Sequence, residues 1–399
     1  MLASLSLIFI VGLAMGAICQ KLKLPRIIGM LVTGIVLGPY VLDLLDPSIL
    51  SISAELRKMA LIIILLKAGL SLDLKDLKKA GRSAVLLSFV PASLEIAGYV
   101  LCAPAILGIT RGEAAVMGAV LGAVSPAVVV PRMVTLMEKK YGTEKAIPQM
   151  IMAGASCDDI FVIVLFTTFL SIAQGGHANV LDFVNIPVSI ILGIILGAVT
   201  GYGLYLFFET AYARKHCVRN SIKVIIVLGF SFLLVSVEGW LEGKISLSGL
   251  LAVVSMACVI KMKSPVFVSK RLSEKFGKLW LAAEVMLFVL VGAAVDIRYT
   301  LSAGLSAVLM IFVALLFRSV GVLLCVAGTR LTWKERLFCV IAYLPKATVQ
   351  AAIGSVPLAA GLACGKIVLS VAVLAIIITA PLGAIGMDAA YQRLLEKEN

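Results

Sequence analysis

Apolar residues in this chain come in long blocks, with polar residues gathered into short clusters between them. A helix needs about 20 mostly apolar residues to cross about 30 Å of hydrocarbon. Thirteen runs approach that length, at approximately 2–19, 27–42, 54–72, 83–107, 113–137, 146–173, 182–208, 222–238, 246–261, 279–296, 302–328, 335–361 and 365–388. The pattern predicts an all-α membrane protein of about 13 transmembrane helices. The second run is short, so it is expected to lie at an angle or partly inside protein. The first run has no basic leader and begins at the second residue, which predicts a first membrane helix rather than a cleaved signal.

The polar clusters test this count. Loops after runs 1, 3, 5, 7, 9 and 11, together with the C-terminal tail, hold 25 of the 35 Lys and Arg residues. The opposite loops hold Arg111, Lys244, Arg298 and Lys366. Basic loops stay in the cytoplasm, so the amino terminus is expected outside and the carboxyl terminus inside. Arg57, Lys58 and Lys67 fall near an end of run 3, where their long stems can snorkel to the membrane surface.

Composition narrows the class. The chain is 61% hydrophobic and 14% charged, with a mean hydropathy of +1.10, which excludes a water-soluble domain. A net charge of +13 in a soluble chain would suggest nucleic acid, but here the charge belongs to the loops, so no nucleic-acid partner is expected. The eight cysteines show neither CxxC nor metal-ligand spacing and read as small buried apolar residues. His177 and His216 fall in loops of opposite sidedness and are expected to be solvated.

Two runs carry breaks. Run 5 contains "GAVSPAVVVPRM", with Pro126 and Pro131, and run 12 contains "AYLPKATVQAAIGSVP", with Pro345 and Pro357. Proline removes a backbone donor, and nearby Ser, Thr and Gln offer replacements, so both helices are predicted to be interrupted, with Pro126, Pro131 and Pro345 marking the breaks. Taken as five-helix units, runs 2–6 and 9–13 each place the interruption in the fourth helix, and one unit starts inside while the other starts outside. This is the pattern of an inverted repeat with two crossing broken helices around a midplane site.

Charged groups inside apolar runs are costly and mark function. The informative ones are Glu95, Asp158, Asp159, Arg318 and Lys346. Counted from the cytoplasmic end of its run, each lies about ten to twelve residues in, roughly 15 to 18 Å deep, and Ser125 sits near the same level. In "GASCDDIFVI" the adjacent Asp158 and Asp159 point about 100° apart on a helix, so both cannot face one partner. A carboxylate out of water is costly as a bare charge; it holds a proton or a monovalent cation but not readily both. That exclusive occupancy is the coupling an exchanger requires. Asp159 is the expected ion ligand, with Asp158 a second titrating group and Ser125 and nearby carbonyls completing an oxygen shell. Arg318 keeps its proton at any relevant pH and needs a partner, Glu95 or Asp158. Lys346 follows Pro345 and is expected to offset carbonyls at a half-helix end. Glu284 is either a helix-interface hydrogen-bonding group or a funnel residue. Cys157 has no histidine base at its depth and is not expected to be a nucleophile.

The segments "GAVSPAVVVPRMVTLMEKKYGTEKAIPQMIMAGASCDDI" and "LTWKERLFCVIAYLPKATVQAAIG" resemble the NHA-type sodium/proton antiporters of the cation:proton antiporter superfamily. The likeness runs over most of the chain. It implies Na+ (or Li+) exchange for H+, and a homodimer in which a scaffold holds still while a six-helix core moves like an elevator. The core is expected over approximately 54–173 and 279–361, with the scaffold over 2–42, 182–261 and 365–388. The resemblance makes Asp159 the ion ligand (Na+) and Asp158 the electrogenic position (Na+ or proton). Many bacterial relatives carry a proton-exchanging lysine where this chain has Arg318, which leaves the stoichiometry open. Expected partners are small inorganic cations, membrane lipid and a second copy; no resident cofactor is expected, and the expected location is the bacterial inner (plasma) membrane. Three other classes remain for comparison. A Na+-coupled symporter of an organic acid would use the same architecture. An intramembrane aspartyl protease would need carboxylates converging from two helices, whereas these are neighbours and the GxGD signature is absent. A channel would need a filter-like loop, and none recurs.

Overall fold

Residues 1–22, 24–71, 81–175, 180–213, 219–241 and 247–398 are described by a computed structural model. His177, His216, Cys217 and Lys244 lie outside the described residues. The described residues form eighteen helices: α1 (Leu2–Lys21), α2 (Arg26–Leu37), α3 (Pro47–Ser51), α4 (Ser53–Ser71), α5 (Gly81–Leu87), α6 (Val90–Leu107), α7 (Arg111–Leu121), α8 (Pro126–Glu138), α9 (Ile147–Gly175), α10 (Val180–Ala213), α11 (Asn220–Leu241), α12 (Gly249–Lys263), α13 (Val266–Ala293), α14 (Ile297–Cys325), α15 (Trp333–Ala342), α16 (Thr348–Ile353), α17 (Val356–Ala359) and α18 (Gly365–Leu394). Among these residues β-pairing is confined to an isolated bridge between Tyr141 and Lys397.

Nine helical stretches in the described residues are long and apolar enough to cross a membrane. The other four expected runs fall short for visible reasons. The second is a helix of 12 residues, α2, and the ninth one of 15, α12. The third, α4, carries Glu55, Arg57, Lys58 and Lys67. The twelfth is cut into α15, α16 and α17. The stretch 261–278, expected as a loop, is helical from Val266. Val268, Leu272 and Phe276 recur every fourth residue and are buried, so an apolar stripe holds this part of α13 among its many lysines. Arg57, expected to reach the membrane surface, is buried instead, while Lys58 is exposed.

The chain forms two units, residues 1–54, 73–174 and 285–399 in one and 55–72 and 175–284 in the other. In the second unit α10 packs along α12 through Gly193, Gly197 and Gly201, whose bare Cα atoms sit against the carbonyls of Ser248, Ala252 and Met256. Small residues every fourth position allow that approach in a membrane helix pair. In the first unit α6 packs on α14 and α7, and α18 packs on α7, α8, α14, α15, α16 and α17. Helix α18 is therefore the common wall of both interrupted runs.

Candidate functional site

Both interrupted runs begin alike. Thr110 accepts from the Glu113 amide while Glu113 accepts from the Thr110 amide, a reciprocal cap that starts α7. Thr332 and Glu335 do the same for α15. Helix α7 then runs 11 residues and α15 runs 10 before each stops. The first break spans residues 122–125, and Pro126 opens α8. The second spans 343–347, with Pro345 inside it and Thr348 opening α16. Pro131 is not a break: it lies inside α8. Its missing N–H takes one bond, the one to Ala127 O, out of a ladder that is already running by Val129, and the helix continues through the gap to Glu138.

The breaks free backbone groups, and several of them have a destination across the crossing. The Ser125 amide, which would serve Leu121 in an unbroken helix, donates to Pro345 O at 2.8 Å and so ties the two breaks together. The Val124 amide donates to Asp158 Oδ2 at 2.7 Å. Gly122 O, whose helical partner would be Pro126, accepts from Arg318 Nη1 at 2.5 Å. Ala123 O and Leu121 O accept from Gln350 Nε2 at 2.8 and 3.4 Å. On the other side Tyr343 O accepts from Arg318 Nε at 2.6 Å, and the Lys346 amide donates to Thr379 Oγ1 of α18 at 2.9 Å. Buried backbone groups must be paired, so these bonds set the crossing geometry.

A buried ionic cluster sits on this frame. Arg318 Nη1 lies 2.7 Å from Glu95 Oε2, and Nη2 lies 3.0 Å from Asp158 Oδ2. Lys346 Nζ lies 2.5 Å from the same Glu95 oxygen. Glu95, Asp158, Arg318 and Lys346 are at most 1% exposed and Asp159 is 6% exposed, so water screens none of these charges appreciably. The sequence offered Glu95 or Asp158 as the partner of Arg318; it binds both. Lys346 was expected to offset half-helix carbonyls, but its ammonium is on Glu95, because the forked guanidinium and the Gln350 amide already serve those carbonyls. The guanidinium also lies 5.6 Å from the Tyr343 ring centre.

Asp159 takes no part in these ion pairs. Its Oδ1, together with Asp158 Oδ1, Ser125 Oγ and Thr348 Oγ1, is a buried oxygen without a hydrogen-bond partner among the described residues. Unpaired buried oxygens are costly, and protonation or contact with a hard cation is the kind of event that relieves such a cost. Fully ionised, Glu95, Asp158 and Asp159 carry three negative charges against two positive charges on Arg318 and Lys346. So ionised, the cluster carries one net negative charge. Glu284 is buried in the second unit. Cys157 is half-buried, and none of the seven described cysteines forms a disulfide. Among the described residues no group of three His, Cys, Asp or Glu could hold a metal ion.

Residues 5–388 match the family model described as "Sodium/hydrogen exchanger, transmembrane". The chain belongs to the sodium/hydrogen exchanger family. It is 36% identical to sodium/hydrogen exchanger 9B2 of Homo sapiens over 94% of this chain and 70% of that protein. It is 32% identical to human sodium/hydrogen exchanger 9B1 over 99% of this chain and 78% of that one. In fold it matches the sodium proton antiporter MjNhaP1 from Methanocaldococcus jannaschii, with a TM-score of 0.83, 21% identity and 98% of each chain covered. Family membership agrees with sodium/proton antiport by a multi-pass membrane protein and lends nothing to the symporter, protease or channel readings. These sequence relatives are animal proteins, so the expected bacterial inner membrane finds no support in them.

Sequence reasoning missed Gln350, Thr348, Thr379 and Tyr343 as site residues. For the two capping boxes a signal was present, the T-x-x-E spacing at 110–113 and 332–335. Gln350 and Thr348 also had one, as polar residues just after a proline break.

Proposed function

We propose that this exchanger moves Na+ (or Li+) against H+ by alternating access, with Asp159 as the group for which cation and proton compete. The observation that carries the reading is the charge count within this cluster: the carboxylates Glu95, Asp158 and Asp159 against the cations Arg318 and Lys346, with buried oxygens of Asp158, Asp159, Ser125 and Thr348 left without partners among the described residues. One proton or one Na+ neutralises the cluster; both together leave it one charge in excess, and a buried excess charge is costly. Asp158, half engaged by Arg318 and the Val124 amide, offers its other oxygen to the ion. Ser125 and Thr348 supply hydroxyls. Glu95, Arg318 and Lys346 are the electrostatic support, and Arg318 retains its proton throughout.

The same proposal includes thirteen passes, with the amino terminus outside and the carboxyl terminus inside, and two inverted five-helix repeats. The matched Thr-x-x-Glu caps, followed by half-helices of nearly equal length, support the repeat. It further includes a homodimer whose core, approximately 54–173 and 279–361, moves past a scaffold of approximately 2–42 and 182–261; residues 365–388, expected in the scaffold, are placed with the core in this proposal, because α18 walls both interrupted runs and Thr379 holds the Lys346 amide. No resident cofactor enters the cycle; Na+ and H+ are cargo.

The test is reconstitution into proteoliposomes with a pH dye and a clamped membrane potential. The wild-type protein is expected to give Na+-evoked pH changes. Asp159→Asn, which cannot trade a proton for a cation, is expected to abolish them. Undiminished exchange by that variant removes Asp159 from the mechanism.

A further inference from the structure

We infer that Gln350 is a positioning residue of the ion site, acting on Asp158 through the single peptide group that joins Ala123 to Val124. The inference rests on the site reading above. Gln350 lies in α16, is wholly buried, and spends its side-chain amide on three backbone groups. Its Oε1 accepts from the Ala347 amide at 2.8 Å, which closes the start of α16. Its Nε2 donates to Ala123 O at 2.8 Å and, more weakly, to Leu121 O at 3.4 Å. These partners fix the amide's orientation, because only the NH2 end can donate to carbonyls and only the oxygen can accept from an N–H.

The Ala123 carbonyl and the Val124 N–H belong to one planar peptide. One edge of that plane is held by Gln350 and the other by Asp158 Oδ2, at 2.7 Å. The plane lies in the break between α7 and α8, where no helical ladder restrains it. Only Gln350 and Asp158 fix its rotation through the bonds described. Through this peptide Gln350 sets the donor that orients Asp158, and so sets where Asp158 Oδ1 stands beside the ion. It has a second effect. By donating to Ala123 O and, weakly, to Leu121 O, Gln350 takes up one acceptor position on each, whereas the carboxylate and hydroxyl oxygens left without partners are wholly open to an ion.

Other side chains fail differently at this position. Leucine fills similar volume but serves none of the three groups. Glutamate keeps the acceptor for Ala347; when neutral it offers one O–H to Ala123 O, and when ionised it offers none and sets a charge against two carbonyl oxygens.

The test uses full-length protein in proteoliposomes, with KM for Na+ and Li+ and the maximal exchange rate measured for wild type, Gln350→Leu and Gln350→Glu, and the thermal midpoint in detergent measured alongside. Gln350→Leu is expected to raise the Na+ KM about tenfold, the effect of one misplaced ligand, with the maximal rate within about twofold of wild type. Gln350→Glu is expected to have a KM near wild type in acid that worsens as pH rises and the carboxyl loses its donor. An unchanged KM in both variants overturns the inference, as does a maximal rate that falls with the thermal midpoint at constant KM, which marks a purely structural role. If Gln350→Leu does not fold, Gln350→Glu supplies the deciding measurement. Asp159→Asn, run in parallel, separates the two readings: continued exchange there removes the ion site itself, whereas abolished exchange with an unchanged Gln350→Leu KM removes only Gln350.

Discussion

Replacing Arg318 with lysine keeps the charge and removes the fork, which makes it the sharpest probe of the buried cluster. The guanidinium reaches four acceptors from three nitrogens: Tyr343 O at 2.6 Å, Glu95 at 2.7 Å, Gly122 O at 2.5 Å and Asp158 at 3.0 Å. A lysine ammonium places three donors on one atom and cannot span acceptors arranged around a planar fork. At least two acceptors lose their donor. If they are the carbonyls of Tyr343 and Gly122, each buried and unpaired acceptor costs about 1–3 kcal/mol, so Arg318→Lys costs about 2–6 kcal/mol. Arg318→Gln costs more, because it leaves three carboxylates against Lys346 alone, and breaking a buried ion pair costs about 3–5 kcal/mol before any carbonyl is counted. The assay is thermal unfolding of purified protein in detergent, read as the fraction remaining monodisperse. The expected order of midpoints is wild type, then Arg318→Lys, then Arg318→Gln. Arg318→Lys is also expected to keep exchange activity but to add a titrating step to its pH profile, since lysine can release the proton that arginine holds. An Arg318→Lys midpoint equal to wild type refutes the carbonyl accounting, whatever the variant's transport.

Other perturbations test the frame around this cluster. Gly383→Ala places a methyl from α18 against the Pro345 ring, with Pro345 Cδ at 2.6 Å; overpacking of this kind costs about 1–3 kcal/mol, and because Pro345 O holds the Ser125 amide, thermal stability and Na+ affinity are expected to fall together. Gly154→Ala, one turn before Asp158, sets a methyl on the Tyr343 hydroxyl; exchange is expected to fall and to recover in part when paired with Tyr343→Phe. Lys145 lies in the loop before α9 and bonds Glu335 at 3.0 Å and Glu396 at 3.3 Å, and the Glu335 bond foremost raises its pKa above the usual 10.5. A raised folded-state value means that its stabilisation is complete below the unfolded pKa and lost as pH climbs through the folded one. Lys145→Met is therefore expected to lower the thermal midpoint equally at pH 6 and pH 9, and a difference that disappears between those values contradicts the assignment.

How much of this site could be read from the chain depends on the kind of group. Glu95, Asp158, Asp159, Arg318 and Lys346 stood out because a charge in an apolar run costs several kcal/mol and must find company, and the structure brings all but Asp159 into direct ion pairs. The breaks were legible at Pro126 and Pro345 for a similar reason: proline cannot donate, so the ladder must fail there. Pro131 misled because one proline removes one ladder bond, and a helix whose neighbouring bonds stay in place can lose it without stopping. The remaining contacts were hidden. Every residue has a carbonyl, so Gly122, Ala123 and Tyr343 look like any others until the crossing decides which carbonyls lose their partners. Thr379 reads as a hydroxyl that would normally bond its own helix, yet it caps Lys346 across a helix pair. The useful sequence rule is one of accounting. A proline in a membrane span frees a known set of acceptors three to five residues before it, and an uncharged polar residue in the opposing broken span, such as Gln350, is the first place to look for the missing donor. On that rule the charged residues identify what the site binds, and the neutral ones identify what holds it in shape.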